Sequence, residues 1–200
     1  TKKHKLVQVA EKLRRLESGD KEESDKTISI SMIPSKGVMR IFSGDIGDAC
    51  YTSQHTQLAE GQYQGITSYT FVTGRGTDNE RMRGSVLAIE SQTPEGEKVL
   101  VVRANNPQES LLSGVDSEKL IEKTLEIFKE LAHNRGIDTL VVPLDPASSS
   151  CSNRLAVAQY YKKHFSTRPT VGLVNNPETN FNGYDIWNKD GVHSLVSIPK

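Results

Sequence analysis

Thr139-Leu140-Val141-Val142-Pro143 is an unbroken apolar run with helix-forming sequence on either side, and a similar run, Lys98-Val99-Leu100-Val101-Val102, precedes the first of those helices. Runs of this kind read as strands buried on both faces. A strand, a helix and a second strand in succession form a right-handed crossover, so the two strands are expected to be parallel neighbours with the helix packed on one face. The intervening helix has clear ends. Asp116 or Ser117 can cap it, Leu120, Ile121, Leu125, Phe128 and Leu131 supply its apolar stripe, and Asn134-Arg135-Gly136 stops it.

Upstream the period is two. Ser68-Tyr69-Thr70-Phe71-Val72, Ser85-Val86-Leu87-Ala88-Ile89 and Lys98 to Val102 are separated by turns carrying Gly74, Gly76, Gly84 and Pro94-Glu95-Gly96, which predicts an antiparallel meander. Ile28, Ile30 and Met32 alternate with polar residues, and after Pro34-Ser35-Lys36-Gly37 the run Val38 to Phe42 is expected to return as the second strand of a hairpin. Residues 43–65 have no period and form a long loop or short helical turns, a length that often carries function. Val171 to Val174 and Val192 to Ile198 read as closing strands. The expected class is α/β with a mixed sheet: a meander followed by a parallel pair joined by a crossover helix.

At the start, Leu6, Val9, Ala10, Leu13 and Leu16 recur at helical spacing, so residues 4–17 read as a short amphipathic helix that must pack on something. The charged stretch 17–26 has no large apolar residue and reads as a linker. The division is therefore an arm at 1–26 and one domain at 27–200. The first residue is threonine, and further domains of a longer parent chain are expected. Twenty-five basic residues balance 25 acidic ones, so no overall field favours nucleic acid or an anionic membrane. No stretch approaches the roughly 20 apolar residues of a membrane span. Two cysteines, Cys50 and Cys151, are too few for a disulfide scaffold. A reducing, cytoplasmic setting is expected.

Ser152-Asn153-Arg154-Leu155-Ala156-Val157-Ala158-Gln159-Tyr160-Tyr161-Lys162-Lys163-His164-Phe165 follows the last apolar strand. As a helix it aligns Asn153, Ala156, Val157, Tyr160 and His164 on one stripe, and Leu155, Ala158, Tyr161 and Phe165 on another that can face a core. The run resembles the last motif of the GNAT acyl-CoA N-acyltransferase superfamily, N-x-x-A-x-x-x-Y-x-x-x-G-F. Asn153, Ala156, Tyr160 and Phe165 are in register with it, and His164 stands where the pattern has glycine. The order of elements from 68 to 198 is also that family's.

The resemblance implies acetyl-CoA or another acyl-CoA as cofactor, lying in a splay between the parallel strands beside Val102 and Arg103. Its pyrophosphate would rest on amides at the start of the crossover helix, here Ser113, Gly114 and Val115. The family's Q/R-x-x-G-x-G/A loop is replaced by Arg103-Ala104-Asn105-Asn106-Pro107-Gln108-Glu109-Ser110-Leu111-Leu112-Ser113-Gly114-Val115-Asp116, with one glycine and a carboxylate that would repel a pyrophosphate. Tyr160 would be the general acid that returns a proton to the thiolate, and Asn153 would bind backbone or cofactor amides. Glu90, at a strand end, is the candidate general base. The acceptor would be an amine-bearing small molecule or peptide.

Two readings stand beside that one. The domain can be a non-catalytic GNAT-like binding or regulatory module of a larger protein. The cluster Gly44-Asp45-Ile46-Gly47-Asp48-Ala49-Cys50-Tyr51-Thr52-Ser53-Gln54-His55 contains the parts of a cysteine-dependent hydrolase using Cys50, or of a metal site built from Asp45, Asp48, Cys50 and His55. Its spacing matches no zinc or calcium template, and a buried small cysteine in a turn accounts for it as well.

Overall fold

The computed structural model describes residues 28–48, 65–144, 152–174 and 195–198. The amphipathic arm, the linker, Cys50, His55 and Cys151 lie outside them. Six strands form one mixed sheet in chain order: β1 (Ile30–Pro34), β2 (Ile66–Thr73), β3 (Arg81–Gln92), β4 (Lys98–Pro107), β5 (Thr139–Pro143) and β6 (Leu195–Ile198). Five helices are described: α1 (Val38–Ile41), α2 (Ser43–Ile46), α3 (Glu109–Leu112), α4 (Ser117–Asn134) and α5 (Leu155–Phe165). No described helix is long and apolar enough to cross a membrane.

The meander β2, β3, β4 is antiparallel. β4 and β5 are parallel and joined by α4, as the crossover argument requires. Asp116 accepts from the Lys119 amide at 3.0 Å and so satisfies one of the first-turn donors that a helix leaves open. At the other end Gly136 takes φ +67, the left-handed stop that glycine tolerates.

One core lies between the sheet and both long helices, with Val86, Ala88, Leu100, Val102, Leu140 and Val142 meeting Ile121, Phe128, Val157 and Tyr161. The opposite face carries Leu87, Ile89, Val99, Val101 and Val141, with Val171 and Leu173 packed on them. Strands that are apolar on both faces read as continuous runs for this reason.

Three expectations need correction. Val38–Ile41 is helical, and β1 pairs with β2 instead of forming a local hairpin. Val38, Met39, Ile41 and Phe42 are spaced one, three and four apart, which is a helical pattern. Residues 171–174 form no strand; Val174 donates one backbone bond to Gln92, and Thr170 makes a single bridge to Val196. On α5, Leu155 is 68% exposed, whereas Val157 and Tyr160 join the core, so the buried surface is wider than the single predicted stripe.

Candidate functional site

The parallel ladder is short. Val99, Leu100 and Val101 pair with Thr139, Leu140 and Val141, and there the pairing ends, although β4 continues to Pro107. Further along, β4 bulges. Leu87 pairs with Arg103 and Ser85 with Asn106, so Val86 faces both Ala104 and Asn105. Ala104 takes φ +48, a left-handed conformation that costs an L-residue on the order of 1–3 kcal/mol. An extra residue bends its strand and re-aims the side chains beyond it. On the other side, Gly84 has φ +143, and a Cβ there would stand 2.5 Å from the Asn106 carbonyl oxygen and the Pro107 Cα. Glycine is required for that approach.

Strand alternation shows which backbone groups face β5 at the end of the ladder. The Glu90 amide donates to Gly65, on the β2 side. Ile89 therefore turns its polar groups towards β4, its partner Val101 turns back to β3, and Val102 faces the β5 side. Val102 is the first residue beyond the ladder, at the predicted cofactor position. Arg103, also buried, follows it.

Beyond the bulge the end of β4 is tied to the start of α5. Ser152 donates to the Asn105 carbonyl at 2.6 Å, and the Asn153 amide donates to Asn106 Oδ1 at 2.8 Å. Asn153 Nδ2 donates to the Asp48 carbonyl at 2.9 Å. Arg154 was not foreseen as a site residue. Its side chain is 8% exposed and donates to the Pro107 carbonyl at 2.7 Å and the Gly47 carbonyl at 2.9 Å, with the Asp48 carboxylate at 3.5 Å. A cation opposes the dipole at a helix N-terminus. Its position immediately before α5 was the available signal that another structure holds it there.

The two tyrosines diverge. Tyr161 is fully buried, and its hydroxyl accepts from Asn105 Nδ2 at 3.2 Å. The Oδ1 of Asn105 has no hydrogen-bond partner among the described residues. Tyr160 instead points at α4, its hydroxyl 3.4 Å from a Glu122 carboxylate oxygen, with His164 stacked on its ring at 4.3 Å. Burial, then the negative charge of Glu122, push the Tyr160 phenol up to about 12.

Glu90 is elsewhere. Its carboxylate takes a 2.5 Å ion pair from Arg135, at the far end of α4, and from Glu122 to Arg135 the helix rises roughly 20 Å. The structure does not bring Glu90 and Tyr160 together. At the start of α4, the Ser113 amide donates to the Glu109 carbonyl and the Gly114 amide to Leu111, so both are engaged within the α3 turn. Gly114 has no left-handed φ, and a Cβ there would meet neighbours only at 3.4 Å and beyond. Asp116 stands at the cap as expected. Among the described residues, no three His, Cys, Asp or Glu side chains converge as a metal site requires.

No protein-family profile matches the sequence, and no curated protein matches it. Two solved structures are similar to the chain at low level. The KacTA–DNA complex aligns at 16% identity and TM-score 0.44, over 86% of this chain and 93% of that one. A tyrosine-to-phenylalanine mutant of KacT aligns at 17% identity and TM-score 0.44, over 87% and 95%.

Proposed function

We propose that this domain is a divergent GNAT-like N-acyltransferase that moves an acyl group from acyl-CoA to an amine. The observation that carries the reading is the parallel β4/β5 pair, whose ladder ends at Val101 and Val141, three residues before a bulge at Ala104. An amide N–H of a thioester arm laid beyond the ladder could donate to the Val102 carbonyl, the Val102 amide being the last group of the ladder itself. The amine nitrogen attacks the thioester carbonyl, the C–S bond breaks, CoA leaves as thiolate and takes up a proton, and the nitrogen loses one to solvent. Holding two reactants in line supplies much of the acceleration in such a step.

The proton path favours Tyr161 over Tyr160. The Tyr160 hydroxyl is turned towards the Glu122 carboxylate of α4, 3.4 Å away. Its role in this reading is to join α4 to α5. Tyr161 and the unpaired Oδ1 of Asn105 stand beside the bulge, where an amine N–H needs an acceptor.

A second reading, a non-catalytic module of the same fold, is supported by the start of α4. There the Ser113 and Gly114 amides are already bonded and Asp116 adds a negative charge where the pyrophosphate would lie. The test is a thermal-shift series with CoA and acetyl-CoA, followed by thiol release with a panel of small amines and peptides. A raised melting temperature with thiol release supports transfer. Binding without release supports the module, and no response to either ligand overturns the acyl-CoA reading.

A further inference from the structure

We propose that residues 4–17 of this chain dock as an amphipathic helix in the groove between β1 and α4. The groove has a volume of about 290 Å³ and is walled by Ile30, Met32 and Phe71 on the sheet side and by Leu120 and Ile127 on the helix side. β1 is at one edge of the sheet, so this end of the core has strand on one flank only. Ile28 is 48% and Ile127 42% exposed, on walls that are largely apolar with Asp116, Lys119, Lys123 and Thr124 among them. Leu120, Lys123, Thr124 and Ile127 all line it, and their spacing of three, four and seven makes a ridge suited to packing against a second helix.

The occupant is argued from where the chain goes. Ile28 itself lines the groove, so the polypeptide leaves the described domain inside the site. The segment upstream carries Leu6, Val9, Ala10, Leu13 and Leu16 on one helical stripe, an apolar face of the length of the groove wall. The chain from Leu16 to Ile28 can reach at most about 40 Å, enough to return the helix onto α4. Such a tether holds it at an effective concentration on the order of millimolar. The linker is acidic at Asp20, Glu22, Glu23 and Asp25, and the groove rim carries Lys119 and Lys123 beside a single acid, Asp116. The arm thus covers the core edge next to the start of α4.

A double-mutant cycle on the full chain tests this. Leu13→Asp and Ile127→Asp should each lower the melting temperature by roughly 5 °C, and the double variant should be no less stable than the weaker single, because both remove one contact. Hydrogen exchange in Leu13→Asp should rise about tenfold in β1 and the first half of α4. Should Ile127→Asp fail to fold, Ile28→Ser, at an exposed position, replaces it in the cycle. Additive effects, or Leu13→Asp leaving exchange in β1 and α4 unchanged, would overturn the proposal. A dimer that dissociates on Leu13→Asp would overturn it too, by giving the groove to a second copy.

Discussion

Asn105 donates from Nδ2 to the Tyr161 hydroxyl at 3.2 Å, which joins the strand bulge to the middle of α5 through two side chains that are both buried. The tyrosine that the motif resemblance singled out is its neighbour, Tyr160, and the hydroxyls of the two residues face different elements. Substitution separates them. Tyr161→Phe should lower the rate of acyl transfer by roughly ten- to a hundredfold, whereas Tyr160→Phe should change it less than about threefold. Steady-state thiol release measures both, and the reverse order would return the proton path to Tyr160.

Tyr160 has a pH signature of its own. Its pKa rises from 10.0 unfolded to about 12 folded, so between those values the unfolded chain has lost a proton that the folded one keeps. Stability is full below pH 10 and is lost as pH rises towards 12. Tyr69 is raised in the same direction by burial, partly offset by Arg135. Thermal melts from pH 9 to 12 should show the fall, and Tyr160→Phe should flatten it. An equally steep fall in Tyr160→Phe would contradict the assignment.

Asp116→Ser keeps a capping oxygen and removes the charge at the start of α4. Helix stability should change by less than about 1 kcal/mol, while the affinity for CoA should rise about two- to fivefold, as expected for a carboxylate taken away from a phosphate site. Calorimetric titration with CoA reads the change. Unchanged or weaker affinity would place the pyrophosphate somewhere other than this helix end.

Ala104→Gly should leave the domain as stable or up to about 1 kcal/mol more so, because glycine adopts the left-handed φ without strain. Ala104→Val should cost about 1–3 kcal/mol. Urea denaturation of the two variants checks the sign, and a valine that is tolerated would mean that the bulge is not held at this residue.

Much of the frame was legible in the sequence. The apolar runs at Val99 and Leu140 declared themselves because burial on both faces leaves no alternation, and α4 because Asp116, its stripe and Gly136 agree. The bulge was not legible, since an alanine carries no mark of positive φ. Only Gly84 opposite hinted at a close approach. Val38 to Phe42 misled because four apolar residues in five satisfy a strand on content while their spacing belongs to a helix. The resemblance to the N-x-x-A-x-x-x-Y motif chose Tyr160, on a helix whose buried arc is wide enough to take both tyrosines, so periodicity could not rank them. Glu90 was selected for its place at a strand end, and only coordinates could reveal that Arg135 already holds it. Cys50 and His55 of the candidate cluster at 44–55 lie outside the described residues.

The bond from Arg154 to the Gly47 carbonyl joins residues 107 apart in the chain. Closing so long a loop has a large entropic cost, which is met only once the meander and the crossover have assembled. Arg154 is therefore expected to set its bonds late in folding, after the transition state. Replacing it with methionine should leave the refolding rate nearly unchanged and speed unfolding, so that the lifetime of the native fold is set at this one guanidinium.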